Sequence, residues 1–85
     1  MLFAIATPGP LVKVEADNID AALEHAKRQM PMLRGWTHDV TYGSDGQRAT
    51  LRARNSRGRV VNAFRVFPAR DLVYAATGKP VYPDA

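Results

Sequence analysis

The chain has 85 residues, no cysteine and a formal net charge of +4. A chain of this length has room for one domain with one small core, which excludes a two-domain enzyme. Without cysteine there can be no disulfide, thiolate nucleophile or cysteine-based metal site, and a content of 46 % hydrophobic and 24 % charged residues is typical of a globular domain.

The N-terminal segment does not have the pattern of a signal peptide. The apolar run from Met1 to Ala6 is too short and no basic residue precedes it, and no stretch approaches the ~20 apolar residues of a membrane span. The sequence therefore predicts a soluble, cytoplasmic protein that does not bind a membrane.

The first predicted elements are two strands that form a hairpin. The apolar run Leu2–Thr7 is ended by the Pro-Gly-Pro sequence at 8–10, which cannot continue a strand and provides turn geometry. Apolar and charged residues then alternate along Leu11–Ala16, as they do in a strand with one buried face.

A helix is predicted next. Asp17 and Asn18 offer an N-cap, Asp20 adds negative charge to the first turn, and Pro31 ends the segment after Met30. The apolar residues recur at the spacing of one helical stripe, namely Ile19, Ala22, Leu23, Ala26 and Met30. The small alanines of this stripe suit close packing against a sheet.

Three strands joined by two glycine-containing turns, at 43–46 and 55–58, are predicted after the helix. They cover Trp36–Tyr42, 48–54 and 59–67, and Pro68 ends the last one. Alternation predicts that Val60, Asn62, Phe64 and Val66 share one face and that Arg59, Val61, Ala63, Arg65 and Phe67 share the other. We expect Trp36, Val40, Leu51 and Phe64 in the core.

The order ββαβββ predicts a two-layer α+β fold with one antiparallel sheet of about five strands and one helix packed on one face. Residues 1–70 are expected to form a single domain and 71–85 an extended C-terminal tail. We expect at most a short helical turn near Asp71–Tyr74, with Tyr74, Val81 and Tyr82 holding the tail to the body. The sheet face opposite the helix must then meet water or a partner.

The charge is unevenly distributed along the chain. Residues 1–47 contain four basic and six acidic side chains, a net charge of −2, whereas residues 48–85 contain eight basic and two acidic ones, a net charge of +6. Seven arginines and no acid lie between Arg48 and Arg70. Arginine is suited to two-pronged contacts with carboxylates and phosphates, although these side chains could equally be a solvated strand face.

Alternation places most of these arginines on the face that the helix leaves uncovered. We predict a positive patch formed by Arg52, Arg54, Arg59 and Arg65, flanked by Arg48 and Arg57. These six residues are the predicted partner-binding site.

No arrangement typical of catalysis is visible. The two histidines, His25 and His38, are predicted on different elements, and the two serines, Ser44 and Ser56, lie in turns. The phosphate-loop and dinucleotide-binding glycine patterns are missing as well. We therefore expect a protein that is not an enzyme and has no metal and no cofactor.

Three functions fit the predicted patch. It could bind an acidic protein surface or a nucleoprotein complex, it could bind the backbone of DNA or RNA without sequence specificity, or the chain could be a small component of virion assembly. A sheet edge could also pair with a second copy and give a homodimer.

The strand and helix at 12–27, followed by the glycine-turn meander, resemble small phage-encoded proteins, including anti-CRISPR proteins that inhibit type I surveillance complexes. The resemblance covers roughly residues 2–67. It implies an inhibitor, encoded by a phage or mobile element, that acts in the host cytoplasm by occupying a surface of its partner. Many such inhibitors are acidic mimics of DNA, and the basic half of this chain argues against mimicry.

Overall fold

The computed structural model describes residues 1–74 and 80–81. The main elements are β1 (Leu2–Ala6), β2 (Val12–Glu15), α1 (Ile19–Gln29), β3 (Thr37–Tyr42), β4 (Ala49–Arg54) and β5 (Val60–Pro68). A short 3₁₀ turn (Ala69–Asp71) and two short strands, β6 (Val73–Tyr74) and β7 (Pro80–Val81), follow. The predicted α+β fold, with the order ββαβββ and one helix, is confirmed.

The main sheet has five antiparallel strands in the spatial order β2-β1-β5-β4-β3. Its first and last strands along the chain, β1 and β5, lie next to each other in the centre, where Ile5 pairs with Val66. The strands on either side of the helix, β2 and β3, form the two edges. The helical connection therefore spans the sheet from edge to edge and covers one face.

Helix α1 begins and ends where its sequence predicts. The side chain of Asn18 accepts a hydrogen bond of 2.9 Å from the Ala21 N–H, which satisfies one of the free donors of the first turn. At the other end the Met30 N–H donates to the Ala26 carbonyl, and Pro31 follows. Ala22 and Ala26 are fully buried, so the helix approaches the sheet closely.

The main core lies between the helix and the sheet. Leu51 and Phe64 belong to it as predicted, while Trp36 and Val40 are partly buried and pack against it. Removing apolar surface from water in this layer is the main source of the stability of the fold.

A second, smaller cluster lies on the opposite face of the sheet. It consists of Ala4, Ala6 and Phe67, with Leu11, Ala69 and Leu72 packed against them. Phe67 had been expected on an open face, but the segment that follows β5 covers it and leaves only 1 % of its surface exposed. The side of the sheet without the helix is therefore only partly open.

The C-terminal segment differs in detail from the predicted tail. The helical turn occupies Ala69–Asp71, which is earlier than expected, and β6 and β7 pair with each other through Val73 with Val81 and Tyr74 with Pro80. The predicted side-chain contacts of Tyr74, Val81 and Tyr82 lie outside the described part of the chain.

A β-bulge between β4 and β5 changes which side chains face the open side. Ala53 pairs with Asn62, but the next residue, Arg54, pairs with Val60, so Val61 is an extra residue on β5. Paired residues of neighbouring strands share a face, and Val60 therefore lies on the side of Arg54. The predicted grouping of Val60 with Phe64 was wrong because strict alternation cannot anticipate the added residue.

Candidate binding face

The structure brings together two of the predicted binding residues, Arg52 and Arg65, on the sheet face opposite the helix. Arg52 lies on β4 opposite Ala63, and Arg65 lies on β5 opposite Thr50. The neighbouring Leu51 is in the main core, so Arg52 and Arg65 project from the other face, as diagonal neighbours on adjacent strands.

Both of these arginines line a concavity of about 380 Å³. Its lining combines the two guanidinium-bearing side chains with small and hydroxyl-bearing residues, namely Ala6, Thr7, Pro8, Thr50 and Ala63. The cavity exists because residues with short side chains occupy the positions next to both arginines. Guanidinium and hydroxyl donors around a hollow of this size can bind a carboxylate or a phosphate group.

Asp39 lies at the side of the same face and reduces its positive charge. It pairs with Arg52 across β3 and β4, and its carboxylate accepts a hydrogen bond from Arg54 Nε and lies 3.9 Å from Arg52 Nη1. The stretch from Arg48 to Arg70 contains no acid, but the fold supplies one from another strand.

Contacts within the protein hold Arg52 and Arg54 in place. Arg52 Nη1 donates to Thr41 Oγ1 at 2.9 Å, and Arg54 Nη1 donates to the Gly58 carbonyl at 2.9 Å. Through its contacts with Asp39 and Gly58, Arg54 links β3 to the turn between β4 and β5. Arg54 is therefore less available to a partner than the sequence suggested.

Arg48 lies apart from the concavity, between two acids. Its Nε is 3.5 Å from Asp71 Oδ2 and 3.7 Å from Asp45 Oδ2. The sequence predicted Arg48 as a flanking contact, and these carboxylates offset its charge in the folded chain.

Arg57 and Arg59 are exposed in the turn between β4 and β5, and Arg59 precedes the strand on which it was predicted. Their backbone N–H groups both donate to Asn55 Oδ1, each at 3.0 Å, so the amide side chain of Asn55 shapes the turn. Both side chains lie at the end of the sheet, close to the bulge.

No pattern in the sequence predicts that Arg34 lies near this turn. The loop after α1 approaches it so closely that a Cβ placed on Gly35 would lie 3.7 Å from Ser56 Cβ. Arg34 is exposed beside this contact and adds a cation to the same end of the molecule. The approach depends on how the loop folds back, which residue spacing does not reveal.

Apolar side chains are exposed next to these cations. Val60 and Val61 retain 42 % and 43 % of their surface in solvent at the bulge. Among the described side chains of the face opposite the helix, no aromatic ring is exposed, since Phe67 is buried in the second cluster. The face therefore offers arginines and valines to a partner, without a ring on which a base could stack.

The described part of the chain contains neither a metal-ligating cluster nor a helix that could span a membrane. His38 is partly buried on β3, and its Nε2 has no hydrogen-bond partner there. No group of three or more histidine, aspartate or glutamate side chains in the described part could hold a metal ion. None of the helices described there is long and apolar enough to cross a membrane.

Comparison with known proteins gave no relative. No protein-family model, curated protein or solved structure matches this chain. The resemblance to small anti-defence proteins therefore stays a prediction from the sequence.

Proposed function

We propose that this chain is a non-enzymatic binding protein that attaches to an acidic surface of a partner protein. The binding face comprises Arg52 and Arg65, with Arg57, Val60 and Val61 at its end and Arg34 close to the same turn. Arg59, the neighbour of Val60, projects from the other side of the sheet by alternation. The observation that carries the proposal is the concavity on the face opposite the helix, which both Arg52 and Arg65 line together with Thr50 and small apolar residues.

The chemistry of the concavity suits a carboxylate. A guanidinium group donates two parallel hydrogen bonds to a carboxylate, and the largely buried Thr50 adds a hydroxyl to the lining. The Thr7 hydroxyl already donates to the Pro10 carbonyl. Arg52 is already oriented by Thr41 and Asp39, so it loses little side-chain entropy when it binds. A glutamate or aspartate of the partner would enter between the two arginines.

The surroundings favour a protein over a nucleic acid. The exposed valines at the bulge can be buried against an apolar patch of a protein, which a phosphate backbone does not offer. Asp39 also lowers the net positive charge of the face, which weakens the attraction for the many charges of a nucleic-acid backbone more than that for a single carboxylate. Non-specific binding of DNA or RNA is the alternative that the test must separate.

The resemblance to small phage-encoded anti-CRISPR proteins suggests that the partner is a host defence complex, which the chain would inhibit. The chain would occupy an acidic surface of a nucleoprotein complex and block its use. Adding the protein to a purified type I surveillance complex tests this role directly, with loss of target DNA binding by the complex as the expected result.

The double variant Arg52→Gln/Arg65→Gln tests the binding face. Glutamine is preferred to glutamate because a second carboxylate at position 52 would face Asp39 and destabilise the fold. The matched control is Lys27→Gln/Arg28→Gln, which removes the same charge from the helix, on the other side of the sheet. Urea unfolding verifies that all proteins are folded.

Fluorescence anisotropy with two labelled probes gives the readout: a peptide of glutamate and leucine residues, and duplex DNA, each at low and higher salt. We expect the peptide to bind the wild-type and control proteins, and the double variant to bind it at least about tenfold more weakly. Tighter binding to the DNA with a steep loss in added salt would instead establish the nucleic-acid alternative. Equal peptide binding by the double variant would refute the assigned face.

A further inference from the structure

The two edges of the sheet differ in how open they are to another strand. Directly after β3 the Gly43 N–H donates to the Arg48 carbonyl at 2.8 Å, and hydrogen-bonded pairs alternate along an antiparallel ladder. The backbone groups of Thr37, Asp39 and Thr41 therefore point toward β4. Those of His38, Val40 and Tyr42 point away from the sheet, and β4 is the only strand paired with β3 among the described residues.

The other edge, β2, is shorter and more charged. The Ala16 N–H donates to the Met1 carbonyl at 2.9 Å, and by the same alternation the outward backbone groups of β2 belong to Lys13 and Glu15. Both of these side chains are exposed, and Pro10 lies just before the strand. Short length, charge and a nearby proline are features that protect an edge from pairing, and β3 has fewer of them.

We propose that β3 pairs antiparallel with β3 of a second copy of this chain, around a two-fold axis at Val40. Only residues with outward backbone groups can exchange hydrogen bonds, so His38, Val40 and Tyr42 must pair among themselves. The register centred on Val40 uses all three: Val40 pairs with its own copy, and His38 pairs with Tyr42 of the second copy.

Charge selects this register over its neighbour. A register centred on Asp39 would place two Asp39 carboxylates directly opposite each other in a closely spaced pair, which is unfavourable. In the register centred on Val40, Asp39 lies opposite Thr41 of the second copy. A register centred on Thr41 would extend into the turn that begins at Gly43 and would lose the pairing of His38 with Tyr42.

The dimer would have a consequence for binding. Paired residues share a face, so the two five-stranded sheets would join into one sheet of ten strands with both helices on one side. The two binding faces, each with its Arg52 and Arg65, would then lie together on the other side. A partner with two acidic patches would be bound at both faces, which increases the overall affinity.

Substitutions at Thr41 test this register. In the single chain Thr41 Oγ1 accepts a hydrogen bond from Arg52, so the carboxylate of Thr41→Asp lies beside a cation and the fold tolerates it. In the dimer the same carboxylate faces Asp39 of the second copy, twice by symmetry. Thr41→Lys places a cation there instead. Thr37→Asp is the control, since it adds the same charge to the same face of β3 without meeting Asp39 across the axis.

Sedimentation equilibrium over a range of protein concentrations gives the dimer dissociation constant. We expect a wild-type mass that rises toward twice 9.4 kDa, a dissociation constant about tenfold higher for Thr41→Asp, a lower one for Thr41→Lys, and little change for Thr37→Asp. Hydrogen exchange of the Val40 amide should slow as concentration rises. A monomer at every concentration, an assembly larger than a dimer, or equal effects of Thr41→Asp and Thr37→Asp would each overturn the proposal.

Discussion

The net charge of the sheet face that carries Arg52 and Arg65 depends strongly on one acidic residue, Asp39. Asp39 contacts two of the predicted binding arginines, Arg52 and Arg54, from the neighbouring strand β3. These side chains are all partly exposed, so the ion pairs contribute little to stability and mainly set the orientation and net charge of the face. The distribution of charge along the sequence is therefore not enough to locate a binding surface, because strand pairing can place an acid from a distant segment beside the basic residues.

The turn between β4 and β5 requires a glycine at one position. Gly58 has φ +79°, a conformation that side chains with a Cβ rarely adopt, although a Cβ there would meet nothing within 4 Å. Gly58→Ala is therefore expected to lower the free energy of unfolding by about 1 kcal/mol through backbone strain alone. The measurement is urea unfolding of the variant and the wild type.

Gly9→Ala is the matched control for this substitution. Gly9 does not have a positive φ, and an added Cβ would be in ordinary contact with Thr7 Oγ1 at 3.6 Å. It should leave stability unchanged or raise it slightly, because alanine restricts the unfolded chain. Similar losses for the two variants would contradict the explanation by backbone conformation.

Helices, strands and turns could be predicted from the sequence where they depend on residues close together in the chain. The helix follows from its cap at Asn18 and its alanine stripe, and the turn at 55–58 from its glycine and asparagine. The bulge at Val61 and the approach of Gly35 to Ser56 depend on contacts between distant segments. The sequence therefore located Arg52, Arg54 and Arg65 correctly on one face, but misplaced Arg59 and Val60 and missed Arg34.

Helix α1 and strand β3 are linked by one hydrogen bond whose strength depends on pH. The Tyr42 hydroxyl donates to Asp20 Oδ1 at 2.6 Å, and this bond is the main reason that the pKa of Tyr42 is raised above its usual 10.0, with smaller effects of burial and of the Asp20 charge. The neutral phenol is thus favoured in the folded state. The stabilisation is complete below a pH of about 10 and is lost as the pH rises through the folded pKa.

The variant Tyr42→Phe removes the hydroxyl and so measures what its hydrogen bond to Asp20 contributes to the free energy of unfolding. It should be less stable than the wild type at neutral pH, and the difference should shrink as the pH is raised above 10.0. Urea unfolding of both proteins at neutral and at alkaline pH measures it, and the ionisation of Tyr74 and Tyr82, which both proteins share, cancels in the comparison. A difference that stays constant through the alkaline range would show that the Tyr42 hydroxyl is not bound to Asp20.

For the whole molecule, the segment after β5 determines how much of the sheet is open to a partner. Ala69 and Leu72 cover the Phe67 end of the face opposite the helix, while the concavity between Arg52 and Arg65 lies beyond that cover. Asp71 in the same segment contacts Arg48 at 3.5 Å. The chain after β5 therefore packs against the sheet at least as far as Leu72.

Leu72→Ala tests whether this packing supports the fold. Leu72 is partly buried against the second cluster, so its truncation should lower the free energy of unfolding by about 1–2 kcal/mol, less than the ~2–5 kcal/mol typical of a fully buried leucine. Leu33→Ala is the control, because Leu33 is 64 % exposed and should change stability little. Urea unfolding gives both values, and binding of the acidic peptide should persist in Leu72→Ala, since Arg52 and Arg65 are untouched. Equal stability of the two variants would mean that the packing of Leu72 against the second cluster adds nothing to the stability of the fold.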